Sequence, residues 1–202
     1  MQRRQFMHSL TAASVAAMFA GPQQLFAQTS ARRSPDVIFV PTPDQVVDLM
    51  LRMAEVSARD VVYDLGSGDG RIPITAAQRY GARGVGIDIN PTRIEEARAN
   101  ARNARVEDKV RFIEGDLFEA KIAGATVVTL YLLNTLNAKL RPKLLKELRP
   151  GTRVVSHAFH MGDWKPERTD VVNGSEVFLW KVPGNAANNA NNANNANKAG
   201  KR

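Results

Sequence analysis

The stretch that decides the fold is Val61-Val62-Tyr63-Asp64-Leu65-Gly66-Ser67-Gly68-Asp69-Gly70. A short apolar run that ends in glycine reads as a buried strand breaking into a tight turn. The ten residues that follow, Arg71 to Tyr80, read as a helix, with Pro73 confined to the first turn, where a missing N–H is tolerated. Strand, glycine-rich turn and helix together form a ligand-binding start for an open α/β sheet. Glycine lets the backbone turn sharply there and come close to a bound molecule.

A glycine triad alone does not choose the ligand, because dehydrogenases also use one. Two details separate the cases. The spacing is G-x-G-x-G rather than G-x-G-x-x-G, and Asp64 stands two residues before the first glycine. A dinucleotide site must leave the helix N-terminus open to a pyrophosphate. S-adenosylmethionine (SAM) carries an ammonium and a sulfonium instead, so an acid close to the turn suits it.

Working outward, Thr42-Pro43-Asp44-Gln45 predicts a helix start, with Thr42 as cap, Pro43 in the first position and Gln45 completing a capping box. Gly84 to Asp88, Val110 to Ile113, Thr126 to Tyr131 and Thr152 to Ser156 read as further strands. Asn90-Pro91 caps the helix after the second strand, and helical turns from Leu136 to Leu148 are expected to be interrupted by Pro142. Strands alternating with helices imply parallel pairing with right-handed crossovers. The ending differs: Glu167 to Val172 and Glu176 to Val182 flank Asn173-Gly174-Ser175, a strong hairpin signal. The expected fold is therefore α/β, Rossmann-like and doubly wound, a mostly parallel seven-stranded sheet with a C-terminal antiparallel hairpin.

Asp88 closes the second strand and Asp116 follows the third, within Glu114-Gly115-Asp116-Leu117. A carboxylate at the first place can accept both hydroxyls of a ribose, and one at the second can accept from an adenine amino group. Each acid alone is more often a plain loop carboxylate. Three at the carboxyl ends of successive parallel strands converge on the crevice where such sheets bind ligands.

The ends of the chain have a different character. Residues 1–27 hold Arg3 and Arg4 and no acid, then a mildly apolar stretch and Leu25-Phe26-Ala27. They read as a twin-arginine-like export signal or an N-terminal anchor. The expected location is the periplasm or the inner membrane, with the cytoplasm as the alternative. Residues 184–202, which repeat Asn-Asn-Ala from Asn188 to Ala196, read as a disordered tail. The domain is assigned to residues 28–183.

The ends also carry most of the formal charge of +8: setting aside their five basic residues leaves +3 on residues 28–183. A nucleic-acid binder shows its basic stripe on the folded domain, so no nucleic-acid partner is expected. There is no cysteine, which excludes disulfides, thiolate zinc sites and cysteine nucleophiles.

The run Asp64 to Gly70 resembles the first motif of class I methyltransferases, with Asp88 and Asp116 at the second and third acidic positions. Further similarity covers residues 38 to 183. It includes Phe39-Val40-Pro41-Thr42-Pro43, Leu130-Tyr131-Leu132-Leu133, Lys143 to Leu148, Arg153-Val154-Val155-Ser156 and Trp164-Lys165-Pro166. These resemble the small family of lysine methyltransferases that act on the ATP synthase c-ring and on the adenine nucleotide translocase, with their prokaryotic relatives.

The resemblance implies SAM as cofactor and a protein substrate, with membrane proteins as one candidate class. Association with a membrane would run through residues 1–27, and a monomer is expected. The implied cofactor contacts are Asp64, Gly66, Ser67, Gly68, Gly70, Asp88, Ile89, Asp116 and Leu117.

Tyr131 and Asn134 end the fourth strand, where this fold places its motif nearest the methyl, and are the candidate catalytic residues. Methylases of nucleobase amino groups carry Asp/Asn-Pro-Pro-aromatic there, which Tyr131-Leu132-Leu133-Asn134 does not match. His157 and His160 follow the fifth strand as possible bases, although a loop placement at the surface is the commoner case. With Asp163 they make too weak a cluster for a metal site, and none is assigned. Trp164 is expected to pack over the sheet edge.

The leading function is SAM-dependent methyl transfer, with lysine as acceptor. The alternatives are a small-molecule methyltransferase and a non-catalytic binder of SAM or S-adenosylhomocysteine.

Overall fold

Alternating apolar residues on both faces of each central strand require cover on both sides, and the chain supplies it. The computed structural model describes residues 39–184, so the N-terminal segment 1–27 and the tail beyond Gly184 lie outside the described residues. The elements are α1 (Asp44–Met53), β1 (Val61–Leu65), α2 (Arg71–Tyr80), β2 (Arg83–Asp88), α3 (Pro91–Asn103), β3 (Val110–Glu114), β4 (Val127–Leu130), α4 (Asn134–Glu147), β5 (Arg153–His157), β6 (Arg168–Val172) and β7 (Ser175–Lys181). The strands form one sheet in the order β3-β2-β1-β4-β5-β7-β6. The first five are parallel, and β7 runs antiparallel to both β5 and β6. The order turns back between β1 and β4, where open α/β sheets hold their ligands.

Neighbouring residues of one strand serve different cores. Val62, Val127, Val155 and Val177 pack with Met50, Leu51, Ile72 and Ala76 of α1 and α2. Tyr63, Val128, Val154 and Phe178 pack with Leu140 and Leu144 of α4 on the other face. A third cluster joins Ile94, Ala97 and Ala101 of α3 to Val110 and Phe112. The strand–turn–strand ending folds as expected, with Asn173 and Gly174 at φ 50° and 77° in the turn. Positive φ at both central positions is what an Asn-Gly hairpin turn requires.

Two local expectations need correction. Thr42 does not cap α1: the cap position is Pro43, no side chain caps the helix, and the Pro43 carbonyl accepts from Val46 and Val47. Thr42 is buried instead, and its carbonyl accepts from Arg71. Pro142 does not interrupt α4, which runs through it from Asn134 to Glu147. Burial of Leu140 and Leu144 against the sheet on either side of the proline outweighs the loss of one backbone hydrogen bond.

Candidate cofactor and active site

The turn after β1 is built from three residues with positive φ: Gly66 at 87°, Gly68 at 51° and Gly70 at 80°. The amides of Gly66 and Ser67 both donate to the Ile87 carbonyl, at 2.8 and 3.0 Å, which ties the turn to β2. The Gly68 amide donates to Asp88 Oδ2 at 2.8 Å. That amide is therefore committed to a carboxylate, where a dinucleotide fold would aim such groups at phosphate.

Asp64 sits at the pocket floor with 3% exposure. Thr129 Oγ1 donates to its Oδ1 at 2.7 Å, and among the described residues no basic side chain pairs with it. Burial, with the nearby charges of Asp88 and Asp69, pushes its carboxyl up to about 7 against the single opposing bond from Thr129. A buried carboxylate without a cation is costly unless a ligand supplies the charge. Ser67 Oγ beside it is also buried without a hydrogen-bond partner among the described residues. The donor set is acceptor-rich and suits a cationic ligand with hydroxyl and amino donors, and SAM fits that description.

Asp88, Ile89, Asp116 and Leu117 line the same pocket, with Gly66 and Ser67. Both Asp88 oxygens take backbone amides, Oδ2 from Gly68 and Oδ1 from Asn90 at 2.9 Å. Each carboxylate oxygen has two acceptor directions, so one on each remains for a ligand hydroxyl. Asp116 Oδ1 accepts from the Phe118 amide at 2.8 Å, which turns the loop after β3 over the crevice.

Gly68 and Gly70 each lie close against an aromatic ring. A Cβ on Gly68 would lie 2.1 Å from the Phe39 ring, and one on Gly70 would lie 2.5 Å from Phe112. Their bareness admits those rings, so they shape the site from behind.

Residues 39–42 carry no local signal of a site, yet Phe39, Val40, Pro41 and Thr42 line the pocket. Arg71 ties this segment to the glycine turn: it pairs with Asp69 at 2.5 Å and donates to the Thr42 carbonyl at 2.9 Å. The Arg93 guanidinium lies 4.7 Å from the centre of the Phe39 ring. The contacts from Arg71 and Arg93 to this segment span long sequence separations, so no local pattern reports them; the run Phe39 to Pro43 stands out only through its family resemblance.

Tyr131 lines the pocket, and Asn134 does not. Asn134 begins α4 and its Oδ1 accepts from the His160 amide at 2.7 Å. His157 is not on a surface loop. It is the last residue of β5, 3% exposed, and its ring stacks on Tyr131 with centroids 3.9 Å apart. His160 is exposed and packs against Phe178 at 4.2 Å. Asp163 pairs with Arg141. The Trp164 carbonyl accepts from Trp180 Nε1 at 2.8 Å, and the two rings pack together with centroids 6.0 Å apart. Among the described residues no group of acids and histidines forms a metal site.

With this geometry in place, the model of the ANTKMT methyltransferase domain matches residues 64–168. The chain belongs to the ANTKMT methyltransferase family. The match spans the segment from the pocket-floor acid Asp64 to the first residue of β6. A protein-lysine N-methyltransferase of Saccharolobus islandicus is 52% identical over 134 residues, covering 66% of this chain and 83% of that one. The adenine nucleotide translocase lysine N-methyltransferase of Mus musculus is 33% identical over 125 residues, 61% of this chain but only 54% of its own length.

Among solved structures, an RNA methyltransferase from Salinibacter ruber with bound S-adenosylhomocysteine is 59% identical. It superposes with a TM-score of 0.71, covering 71% of this chain and 94% of that one. A SAM-dependent methyltransferase from Geobacter sulfurreducens, also with S-adenosylhomocysteine, is 27% identical with a TM-score of 0.54 over 59% of this chain and 50% of that one. This ANTKMT-family protein is a SAM-dependent methyltransferase, and SAM is its cofactor.

Proposed function

We propose that the enzyme methylates lysine side chains of a protein substrate. The observation that carries the methyl-donor half of the reading is the Asp64 carboxylate, buried at the pocket floor with no basic side chain paired to it among the described residues. The lysine acceptor is supported by the 52% identity to a protein-lysine N-methyltransferase and by the lack of a nucleobase-methylase motif at Tyr131 to Asn134.

β3, β2, β1 and β4 lie side by side, so Asp116, Asp88, Asp64 and Tyr131 form a row along one edge. In that row Asp116 and Asp88 take the adenine and ribose end, and Asp64 takes the charged end. Tyr131 then stands next to the reacting centre. SAM supplies an electrophilic methyl, and its transfer forms a nitrogen–carbon bond as the sulfur–carbon bond breaks. The chain contributes alignment and a water-poor wall, which together account for much of catalysis when the reagent itself is reactive. The lysine must attack as the free amine, so its ammonium gives a proton to solvent before attack and the product leaves as a methylammonium beside S-adenosylhomocysteine.

The test is transfer of labelled methyl from SAM to a cell extract, followed by separate protease and ribonuclease digestion. Label that is lost to protease and recovered as methyl-lysine supports the reading. Label in RNA, the substrate class named for the 59% identical structure, would replace it. Label in small molecules, or SAM binding without transfer, would favour the other two readings.

We also propose that residues 1–27 direct the domain to a membrane or across it, since paired arginines precede an apolar stretch there. Replacing Arg3 and Arg4 by lysine should shift the protein between soluble and membrane fractions. An unchanged distribution would sink the idea.

A further inference from the structure

Resting on the reading that Tyr131 stands next to the reacting centre, we propose that His157 is a positioning residue. With Phe159 it fixes the Tyr131 ring at the pocket wall so that the ring faces the transferring methyl group.

Four observations converge on this corner. The His157 ring stacks on Tyr131 at 3.9 Å with 27° between planes, and Phe159 stacks on the same ring at 5.8 Å and 28°. Between them, Ala158 has φ 61°, and the Phe159 amide donates to the His157 carbonyl at 2.8 Å. That is a three-residue turn in a conformation non-glycine residues seldom adopt, and such turns persist where their surroundings over-determine them.

The surroundings here are specific. Asn137 Nδ2 donates to Ser156 Oγ at 3.1 Å and to the Phe159 carbonyl at 3.2 Å. Asn134 Oδ1 takes the His160 amide, and the Glu176 carbonyl takes the Ala158 amide. The corner is therefore bolted to α4 on one side and β7 on the other, and the two rings it carries both meet Tyr131.

A leucine or phenylalanine would fill the His157 position without a buried polar atom. Nδ1 of His157 is buried and has no hydrogen-bond partner among the described residues, so the imidazole is not held there to complete a local network. Burial lowers the pKa of His157 from its ordinary value, which favours the neutral ring. A flat ring can stack on a tyrosine face.

Two cofactor analogues test this without knowledge of the acceptor. S-adenosylhomocysteine lacks the methyl group, and sinefungin carries an amine on carbon in place of the methylsulfonium. His157→Leu should weaken sinefungin binding about tenfold, the order for a cation losing an ordered aromatic face, with S-adenosylhomocysteine affinity held within about twofold. His157→Phe should restore sinefungin binding, because it restores the stack. Should His157→Leu fail to fold in thermal denaturation, Phe159→Leu at the half-buried side of the ring should show the same selective loss.

Equal losses for both analogues, or none, would overturn the proposal. Selective loss that His157→Phe does not rescue would also overturn it, by assigning the effect to a ring nitrogen. A parent protein that binds neither analogue would instead remove the cofactor reading on which the inference rests.

Discussion

Asp64 is held in a state that favours binding over folding. Its carboxyl keeps a proton up to about pH 7 in the folded protein against an ordinary 3.8. Between those values the folded state holds more protons than the unfolded chain, so this group's contribution to stability falls as pH rises from about 4 to about 7. Above that range the full cost of a buried, unpaired charge is present. Asp64→Asn keeps the acceptor for Thr129 and removes the charge. In urea unfolding at pH 8 the variant should be more stable than the parent, by on the order of 3 kcal/mol, with the gap closing towards pH 4. Equal stabilities at pH 8 would show that the carboxylate is not under strain.

Asp88 gives a different prediction, because its oxygens already serve Gly68 and Asn90. Asp88→Ala should cost SAM affinity by roughly ten- to a hundred-fold through lost charge-assisted bonds, and should also loosen the glycine turn. Calorimetry with a folded variant that shows unchanged affinity would take Asp88 out of the site.

The elements differ in how far their residues announce them. β1, its glycine turn and α2 are legible because apolar run, glycine spacing and helix all lie within the twenty residues Val61 to Tyr80. The hairpin is legible for the same reason, with Asn173-Gly174 between two strand-like runs. β5 runs one residue past its sequence pattern. Its last residue, His157, is drawn into the sheet by pairing with Val177 of an antiparallel strand twenty residues away, which no local pattern records. The segment 39–42 is not legible as a pocket wall because Arg71, Gly68 and Arg93 hold it from distant positions.

Pro142 reads as a break because local rules take no account of the cores on either side. It is exposed inside α4, where its ring denies the Ala138 carbonyl a helical donor. Pro142→Ala should therefore raise stability, by about 1–3 kcal/mol in denaturant unfolding. A loss of stability would mean that the proline is compensated by strain elsewhere in the helix.

Over the whole described molecule, stability and ligand binding are placed at opposite edges of the sheet. The carboxyl edge carries Asp64, Asp88 and Asp116, which line one pocket and are the acids proposed to meet the cofactor. The residue before β1 is Asp60, which accepts from Thr126 at 2.7 Å and from the Ser57 amide at 2.8 Å, and pairs with Arg153. Burial alone would push the Asp60 carboxyl up. The bonds from Thr126 and Ser57 and the Arg153 charge outweigh it and leave the group below its ordinary value. Its contribution is therefore present at neutral pH and lost on acidification, opposite in sign to that of Asp64. Asp60→Ala should cost about 3 kcal/mol in thermal or urea unfolding by removing the carboxylate that Arg153, Thr126 and Ser57 share, and should leave SAM affinity unchanged. A matching fall in SAM affinity would show that the two edges are coupled.

The central claim is that a SAM cation binds against the ionised Asp64 carboxylate. Calorimetric titration of SAM into the parent and Asp64→Asn proteins between pH 5.5 and 7.5, about one and a half units below the Asp64 value to just above it, tests it most directly. Binding must release the Asp64 proton below about pH 7, so parent affinity should fall by about tenfold per pH unit there, with proton release to buffer. The variant should bind weakly at every pH with no such slope. Parent affinity that is flat across this range, or a variant that binds as tightly as the parent at pH 7.5, would contradict the account.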